Sequence, residues 1–511
     1  MTDRPEPGGH RAPVQRPVAP IGELVTTGAF WTLGFKFSER FLGLVSTIIL
    51  ARLLSPEHFG LVAMAMTFVT MIELFTTLGF EQALIRDQEA TRAEYDTAWT
   101  LNVALGLIGG LAIVALAQVT AAFFREPGLP PYLFLLAVVP LLDGLQNIGI
   151  VDFRKHLQFA KDFNIQVVRK LVAVIVTVVL ALVWRDAWAL VIGIVVGRVV
   201  GLVMSYAMHP FRPRMSLSGG RELLRYSLWV FINNLLNFLR TQGANFVVGR
   251  FAGGRSLGLY NAAYEVSNLP TSALVMPLNR AVMPGFAKLA HDPSRIQRGF
   301  VRVLSVIAIA ALPAGVGISC LAHLIVPLML GQQWLEAIPA TRWLAIFGVT
   351  LALQMNVQSL YSAIGRPQVT AYVTAGLVAI LLPTLVFMVH RNGIVGAAQA
   401  YVITGLLVLP ANYALAIRVL GMRAVQILNE LWRPLVASLV MVTALRWFPP
   451  AGPAVGDALH LLWKFFASAA FGAGVYAVVI WLVWRASGRP EGGESFVLER
   501  WTALRNRWRK S

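Results

Sequence analysis

Apolar stretches of roughly 20 residues recur along this chain, separated by short polar clusters that hold most of its charge. They fall near 28–52, 57–80, 97–124, 130–151, 164–184, 187–208, 223–250, 257–284, 301–329, 337–363, 369–390, 395–418, 430–448 and 459–484. Each is long enough to cross a hydrocarbon core of about 30 Å as a helix, with every backbone hydrogen bond made inside the segment. The pattern predicts an all-α integral membrane protein with about fourteen transmembrane helices.

Composition agrees. Of 511 residues, 57% are hydrophobic and only 13% charged, against about 25% charged in a soluble globular domain. A soluble chain of this length needs charged helix faces that are missing here. The net charge of +18 would suggest nucleic acid in a soluble protein. No OB, KH or helix-turn-helix signature accompanies it, so we expect no nucleic-acid partner. In a membrane protein the excess has two plainer causes, the positive-inside bias and attraction to anionic membrane lipid. The single cysteine, Cys320, lies in an apolar run and reads as packing. No Cys/His cluster suggests a metal, and no motif suggests a cofactor. Residues 1–21 are rich in Pro, Gly and Arg without an apolar core, which fits a disordered cytoplasmic tail rather than a signal peptide.

Lys and Arg set the orientation. One series of loops holds Arg86, Arg92, Arg154, Lys155, Lys161, Arg212, Arg214, Arg221, Arg225, Lys288, Arg295, Arg298, Arg366, Arg418 and Arg423. The alternate loops are shorter and hold Arg52, Arg125, Arg185, Arg250, Arg255, Arg391 and Arg446. The richer series lies on the side of both tails, so both termini are expected in the cytoplasm. In the last tail, residues 487–511, Val497, Trp501, Leu504 and Trp508 share one helical face and arginines fill the others. This spacing predicts a basic amphipathic helix on the anionic inner leaflet.

The chain also repeats. Displaced by 198 residues, Trp31 falls on Trp229, Arg52 on Arg250, Gly60 on Gly258, Leu61 on Leu259 and Ala65 on Ala263, without a gap. Both copies occupy the short turn between the first two helices of a set. Six intervening spans make the copies cross in the same direction, which predicts two parallel lobes related by an axis along the membrane normal. The expected divisions are a six-helix lobe over 22–210, a second over 211–424, and two extra helices over 425–486.

Charge inside the first span is unusual. Lys36, Glu39 and Arg40 lie on one side of a helix, and a charge at mid-membrane costs about 2.5–3.5 kcal/mol on insertion scales. Counted from a turn near Ser55, Lys36 and Glu73 lie at matching depth and could form an ion pair. In the second copy Lys36 maps onto Asn234 and Glu39 onto Asn237; Arg240 follows one turn later, and Glu265 lies on the next helix. Two readings stand for these charges. They attract an anionic head group, with Lys36, Arg40, Arg240, Asn234 and Asn237 as the binding set, or they pair internally and fix helix packing. Arg169, Lys170 and Arg198, near the inner ends of the fifth and sixth spans, are expected to snorkel to lipid phosphates. Asp143 with Asn147, and Gln354, Asn356 and Gln358, are weaker candidates that serve equally well as polar glue between helices. No Walker loop, nucleophile elbow or His–carboxylate cluster is present, and the alternate loops are short, so an enzyme is not expected.

The segment Ile49-Leu-Ala-Arg-Leu-Leu-Ser-Pro-Glu-His-Phe-Gly-Leu-Val-Ala-Met64 resembles the first hairpin of polysaccharide and O-antigen flippases of the Wzx type. These belong to the multidrug/oligosaccharidyl-lipid/polysaccharide (MOP) exporter superfamily. The Gly249-Arg…Gly258-Leu-Tyr segment and Ala363-Ile-Gly-Arg-Pro367 are similar too. The resemblance implies two MATE-like lobes around a cationic cavity, working by alternating access in the bacterial inner membrane. It implies an undecaprenyl-diphosphate-linked oligosaccharide as cargo, and a polysaccharide polymerase and chain-length regulator as possible partners. It also implies ion or proton coupling, for which Glu39, Glu73 and Glu265 are the acidic positions available. A drug/cation antiporter on the same fold and a lipid II flippase are the alternatives. The first needs an acidic cavity, whereas the charges placed here lean cationic.

Overall fold

The computed structural model describes residues 41–76, 79–218, 227–269, 292–447, 458–490 and 492–495, together with Gly34, Ser38, Val282, Gly285, Phe286 and Leu289. Lys36, Glu39 and Arg40, residues 1–33 and the 497–508 amphipathic stretch lie outside the described residues.

The described residues form helices and their connections, with no strand among them. In order come α1 (Phe41–Leu53), α2 (Pro56–Thr76), α3 (Phe80–Arg86), α4 (Arg92–Phe124), α5 (Pro130–Leu136), α6 (Val138–Gly144) and α7 (Val151–Lys155). Then follow α8 (Phe159–Trp184), α9 (Trp188–Met208), α10 (Ser227–Ser267), α11 (Pro293–Met329), α12 (Ile338–Ala363), α13 (Pro367–Leu420), α14 (Ala424–Trp447) and α15 (Ala458–Ala486). Two of these are helix pairs meeting at a corner. α10 turns at Gly253, φ 81°, and α13 at Gly393, φ 54°, backbone conformations that L side chains rarely adopt. Among the described residues nine helices are long and apolar enough to cross a membrane, ten when a bent pair is included. With α13 taken as two spans, and with both arms of α10 and α1 added, a helix stands on every span read from the sequence.

Local chemistry explains the ends. Thr91 caps α4 in a box with Glu94, whose carboxylate takes the Thr91 N–H at 2.6 Å. The fourth span is not continuous, as the hydropathy of 130–151 suggested, but bends by 62° after Gly144. Asn147 causes the break: its side chain accepts from the Gly149 N–H at 3.0 Å and donates to the carbonyls of His209 and Phe211 at 3.3 and 2.8 Å. Asn147 is therefore fully used as internal glue.

The core runs without interruption across the two predicted lobes: Met64, Val69, Ile113 and Leu133 of the first belong to one buried cluster with Ala263, Leu324, Trp334 and Leu385 of the second. A second cluster, around Phe300, Leu304, Leu353 and Tyr413, fills the space between α11, α12 and α13. Large apolar side chains such as Leu111, Val119, Val183, Leu407 and Leu439 point outward. In water that surface would be a liability. Against lipid tails it is the expected exterior, and it makes this a multi-span membrane protein.

Between the first and second sets the chain runs extended from His209 to Leu217, strapped to α4. The Arg214 N–H reaches Asp96 at 2.8 Å and the Ser216 N–H reaches Thr100 at 3.0 Å. His209 anchors the strap: its Nδ1 accepts from the Phe211 N–H at 3.2 Å and its Nε2 lies 3.5 Å from Asp152. Burial holds its pKa below the usual imidazole range; Asp152 pulls upward, while Lys161 and Arg212 add to the depression. The folded state thus binds this proton less readily than the unfolded chain. Stability from His209 is present at neutral pH and is lost as pH falls through about 6.5. Hydrogen-exchange protection factors of residues 211–217, each rate divided by its intrinsic value at the same pH, are expected to fall between pH 7.5 and 5.5, and His209→Gln should remove that fall. Equal pH dependence in the variant would exclude His209 as its source.

Candidate functional site

The turns of the two repeat copies meet each other. Gly60 on α2 lies so close to the Gly254 backbone that any side chain would collide with it, and Gly258 on α10 lies equally close to the carbonyl of Pro56. These contacts are one contact seen twice, because 60 and 258, and 56 and 254, differ by the same 198 residues. Arg255 and Glu57 differ by 198 as well, and they form an ion pair across this junction; Arg255 also holds Glu336 at 3.0 Å.

The repeated arginines behave in the same reciprocal way. Arg52 ends α1 and donates to the carbonyl of Leu328, near the end of α11, at 2.8 Å. Arg250 ends the first arm of α10 and donates to the carbonyl of Phe123, near the end of α4, at 2.8 Å. Each arginine reaches over to the other repeat. Trp334 adds a 2.8 Å bond to the Ala51 carbonyl. The hairpin-turn end of the molecule is thereby shut by backbone contact and latched by charge. Sequence alignment flagged these positions as matching and said nothing about what they hold.

Below this junction, α2 and the first arm of α10 line the seam between the sets. Asn245 donates to Thr67 across it at 3.1 Å, and nearer the opposite end Phe75 faces Phe231 with ring centres 5.6 Å apart. Asn233, Asn234, Asn237, Arg240 and Thr241 form a polar stripe on the first arm of α10; all are exposed except Arg240, which is half-buried. Asn237 accepts from the Arg240 guanidinium at 2.9 Å, a contact that i,i+3 spacing makes natural. Of the five N–H donors of Arg240 this uses one. The Tyr401 hydroxyl donates to the Arg240 carbonyl at 2.8 Å and steadies that turn. The structure therefore brings Arg240 and Asn237 together, with Asn234 one turn away. Glu265 is exposed on the second arm, beyond Gly253.

Glu73 lies in a different cluster. Arg198 of α9 binds Asp143 of α6 at 2.8 Å and faces Glu73 of α2 at 3.8 Å; Gln146 supports Asp143 at 2.9 Å. Arg169 of α8 acts on both carboxylates. All three members of the ion-pair cluster are mostly buried, with 23–29% of each side chain accessible. Arg198 does not snorkel to lipid. Two carboxylates within reach outcompete a distant phosphate, because withdrawing the arginine would strand both acids in a poor solvent. The Glu73 Oε1 carries no hydrogen bond among the described residues. Asp143 and Arg198 were missed as partners because they lie on the fourth and sixth spans, where no sequence spacing ties them.

Of the remaining polar candidates two are buried in helix packing and Gln358 is half-buried. Gln354 and Asn356 on α12 are inaccessible, and Gln354 sits 3.5 Å from the Gly405 carbonyl of α13. Among the described residues no group of three or more His, Cys, Asp or Glu side chains could hold a metal.

A family model described as polysaccharide biosynthesis protein matches residues 49–339. The lipopolysaccharide biosynthesis protein WzxC of Escherichia coli (strain K12) is 26% identical over 426 residues, 82% of this chain and 86% of that protein. The succinoglycan biosynthesis transport protein ExoT of Rhizobium meliloti (strain 1021) is 25% identical over 327 residues, 63% of this chain and 66% of that protein. Among solved structures, the lipid II flippase MurJ in an inward closed conformation superposes with a TM-score of 0.72. That match covers 90% of this chain and all of MurJ, at 13% identity, so it speaks to the fold alone.

Proposed function

This chain belongs to the polysaccharide biosynthesis protein family, and we propose that it is a flippase for a lipid-linked oligosaccharide. The cargo is an undecaprenyl-diphosphate-linked unit of a surface polysaccharide, carried from the inner to the outer leaflet of the bacterial inner membrane. The observation that carries this reading is the extended similarity to WzxC and ExoT, proteins named for lipopolysaccharide biosynthesis and succinoglycan transport. The protein is a transporter in this reading, not an enzyme. Polymerase and chain-length regulator of the same pathway are its partners.

The seam between the two sets supports one reading of the route. Two lobes over 22–210 and 211–424 pivot about the repeat junction, with 425–486 as an appended helix pair. Both termini are cytoplasmic, so the latched hairpin end faces outward and the seam opens inward. Arg240, with Asn237 and Asn234, offers the cargo a cationic, hydrogen-bonding wall; Lys36 and Arg40 of the first span, outside the described residues, are assigned to it from the sequence repeat alone. An arginine fork suits phosphate oxygens. Glu73, Glu39 and Glu265 are the acids offered for coupling; counted along the sequence, Lys36 matches Glu73 in depth.

The test is gene deletion with analysis of surface polysaccharide and lipid-linked precursor, complemented by wild type or by Arg240→Ala, Lys36→Ala and Arg40→Ala at matched protein levels. We expect polysaccharide to vanish, precursor to accumulate inside, and each variant to restore export poorly, by about tenfold or more. Unchanged polysaccharide in the deletion strain would overturn the flippase reading. Full complementation by the variants would remove the cationic wall and leave the transport reading intact.

A further inference from the structure

A basic cavity of about 700 Å³ lies away from the seam. It opens where the first turns of α11 meet the start of α14 and the chain that follows α15. Arg295, Arg298 and Arg302 line it from α11, with Gln426 and Asn429 from α14. Spacing by three and four residues puts the three arginines within one narrow stripe of the helix. They occupy the first three turns of a span, the depth of lipid headgroups.

The floor of the cavity is built, not incidental. Glu430, in its wall, is held by Arg433 at 3.0 Å, and Arg433 also binds Glu494 at 2.7 Å; all three are buried. Gly493 closes the base through a 3.0 Å bond from its N–H to Ser305. On the rim, Asp292 takes Arg295 at 3.1 Å. Among the described residues, Arg295, Arg298, Arg302 and Arg433 thus face Asp292, Glu430 and Glu494. One cation is left over: Arg295 is held by Asp292 and Arg433 by both glutamates, and Arg298 has no ion pair among the described residues.

We propose that this cavity binds a phosphate-bearing lipid headgroup, with Arg298 as its principal ligand and the Gln426 and Asn429 amides contacting the polar remainder. A single surplus cation complements a phosphodiester monoanion better than a diphosphate. The cavity also lies between the second set and the appended pair, off the seam. Both points favour an anionic phospholipid of the bilayer over the cargo. The site does not depend on the transport reading.

The experiment uses the full-length protein purified in a neutral detergent and titrated with dioctanoyl phosphatidylglycerol, dioctanoyl phosphatidylcholine, farnesyl diphosphate and inorganic pyrophosphate. Wild type is compared with Arg298→Gln, with Arg295→Gln/Arg298→Gln, and with Arg366→Gln as a distant exposed control. Each variant must elute as wild type does. Phosphatidylglycerol should bind wild type and the control equally and weaken about tenfold in Arg298→Gln, the change that losing one charge-assisted hydrogen bond produces. Loss confined to farnesyl diphosphate assigns the phosphate to cargo, and loss confined to pyrophosphate assigns it to a soluble anion; either upholds a phosphate site while changing its occupant. Unchanged affinity of both variants for all three anions, or an equal loss of phosphatidylcholine, overturns the proposal.

Discussion

Gly258→Leu should prevent the hairpin-turn ends of the two repeats from closing and should abolish export. The position tolerates no Cβ: one built there would overlap the Pro56 carbonyl and crowd the Gly60 backbone, so neither neighbour is a flexible side chain that could step aside. Overpacking in a core costs about 1–3 kcal/mol when side chains can adjust. With backbone on the receiving side, the helices must separate instead, carrying with them the Arg255–Glu57 pair and the carbonyl latches of Arg52 and Arg250. The measurement is disulfide yield in a Glu57→Cys/Arg255→Cys background, read alongside thermal stability of the purified protein. We expect efficient cross-linking with Gly258 present and near-complete loss with leucine. Gly60→Leu should act equally, since it makes the reciprocal contact against Gly254. The double variant should be far less than twice as damaging, because both changes open one junction. Gly376→Ala, where a Cβ meets nothing, should be neutral or slightly stabilising. Undiminished cross-linking in Gly258→Leu would mean that the junction is not the point of closure.

The reach of the sequence follows from the range of the interactions involved. Spans are set by local hydropathy, so they were legible wherever the residues are described, and the corners at Gly253 and Gly393 fell in the gaps between them. The repeat was legible because a 198-residue displacement preserves identity at the turn. Its consequence, one symmetric junction, needed only the added rule that like surfaces pack together about a two-fold axis. The bend in the fourth span was not legible. Asn147 breaks that helix through carbonyls at 209 and 211, far along the chain, and hydropathy does not register it.

The candidate site divides along the same line. Arg240 with Asn237 is an i,i+3 pair, and that spacing can be read directly. Arg52 and Arg250 bind backbone carbonyls of another helix, which any residue could supply, so no partner type could be searched for. Arg198 was misjudged for a related reason. Depth alone put it near headgroups, whereas its acids, Asp143 and Glu73, come from two other spans brought beside α9 by the fold.

That cluster carries the second large expected effect. Arg198→Leu leaves Asp143 and Glu73 without their ion-pair partner in a mostly buried setting, with only the more distant Arg169 to offset their charge. Removing one partner of a buried pair commonly costs about 3–5 kcal/mol, and the partial access of these groups lowers the expectation to about 2–3 kcal/mol. Thermal unfolding of the purified variant should shift downward accordingly. Two companions separate charge from packing. Arg198→Lys keeps the cation but loses the fork that spans both acids, and should recover about half of the loss. Asp143→Asn in the Arg198→Leu background removes one stranded charge and should recover stability relative to Arg198→Leu alone. That second result matters most, because a role in packing predicts further loss when another contact is removed. A double variant weaker than the single would therefore show that the arginine's volume, not its charge, holds α6 and α9 together, and Glu73 would lose its claim to an electrostatic role in transport.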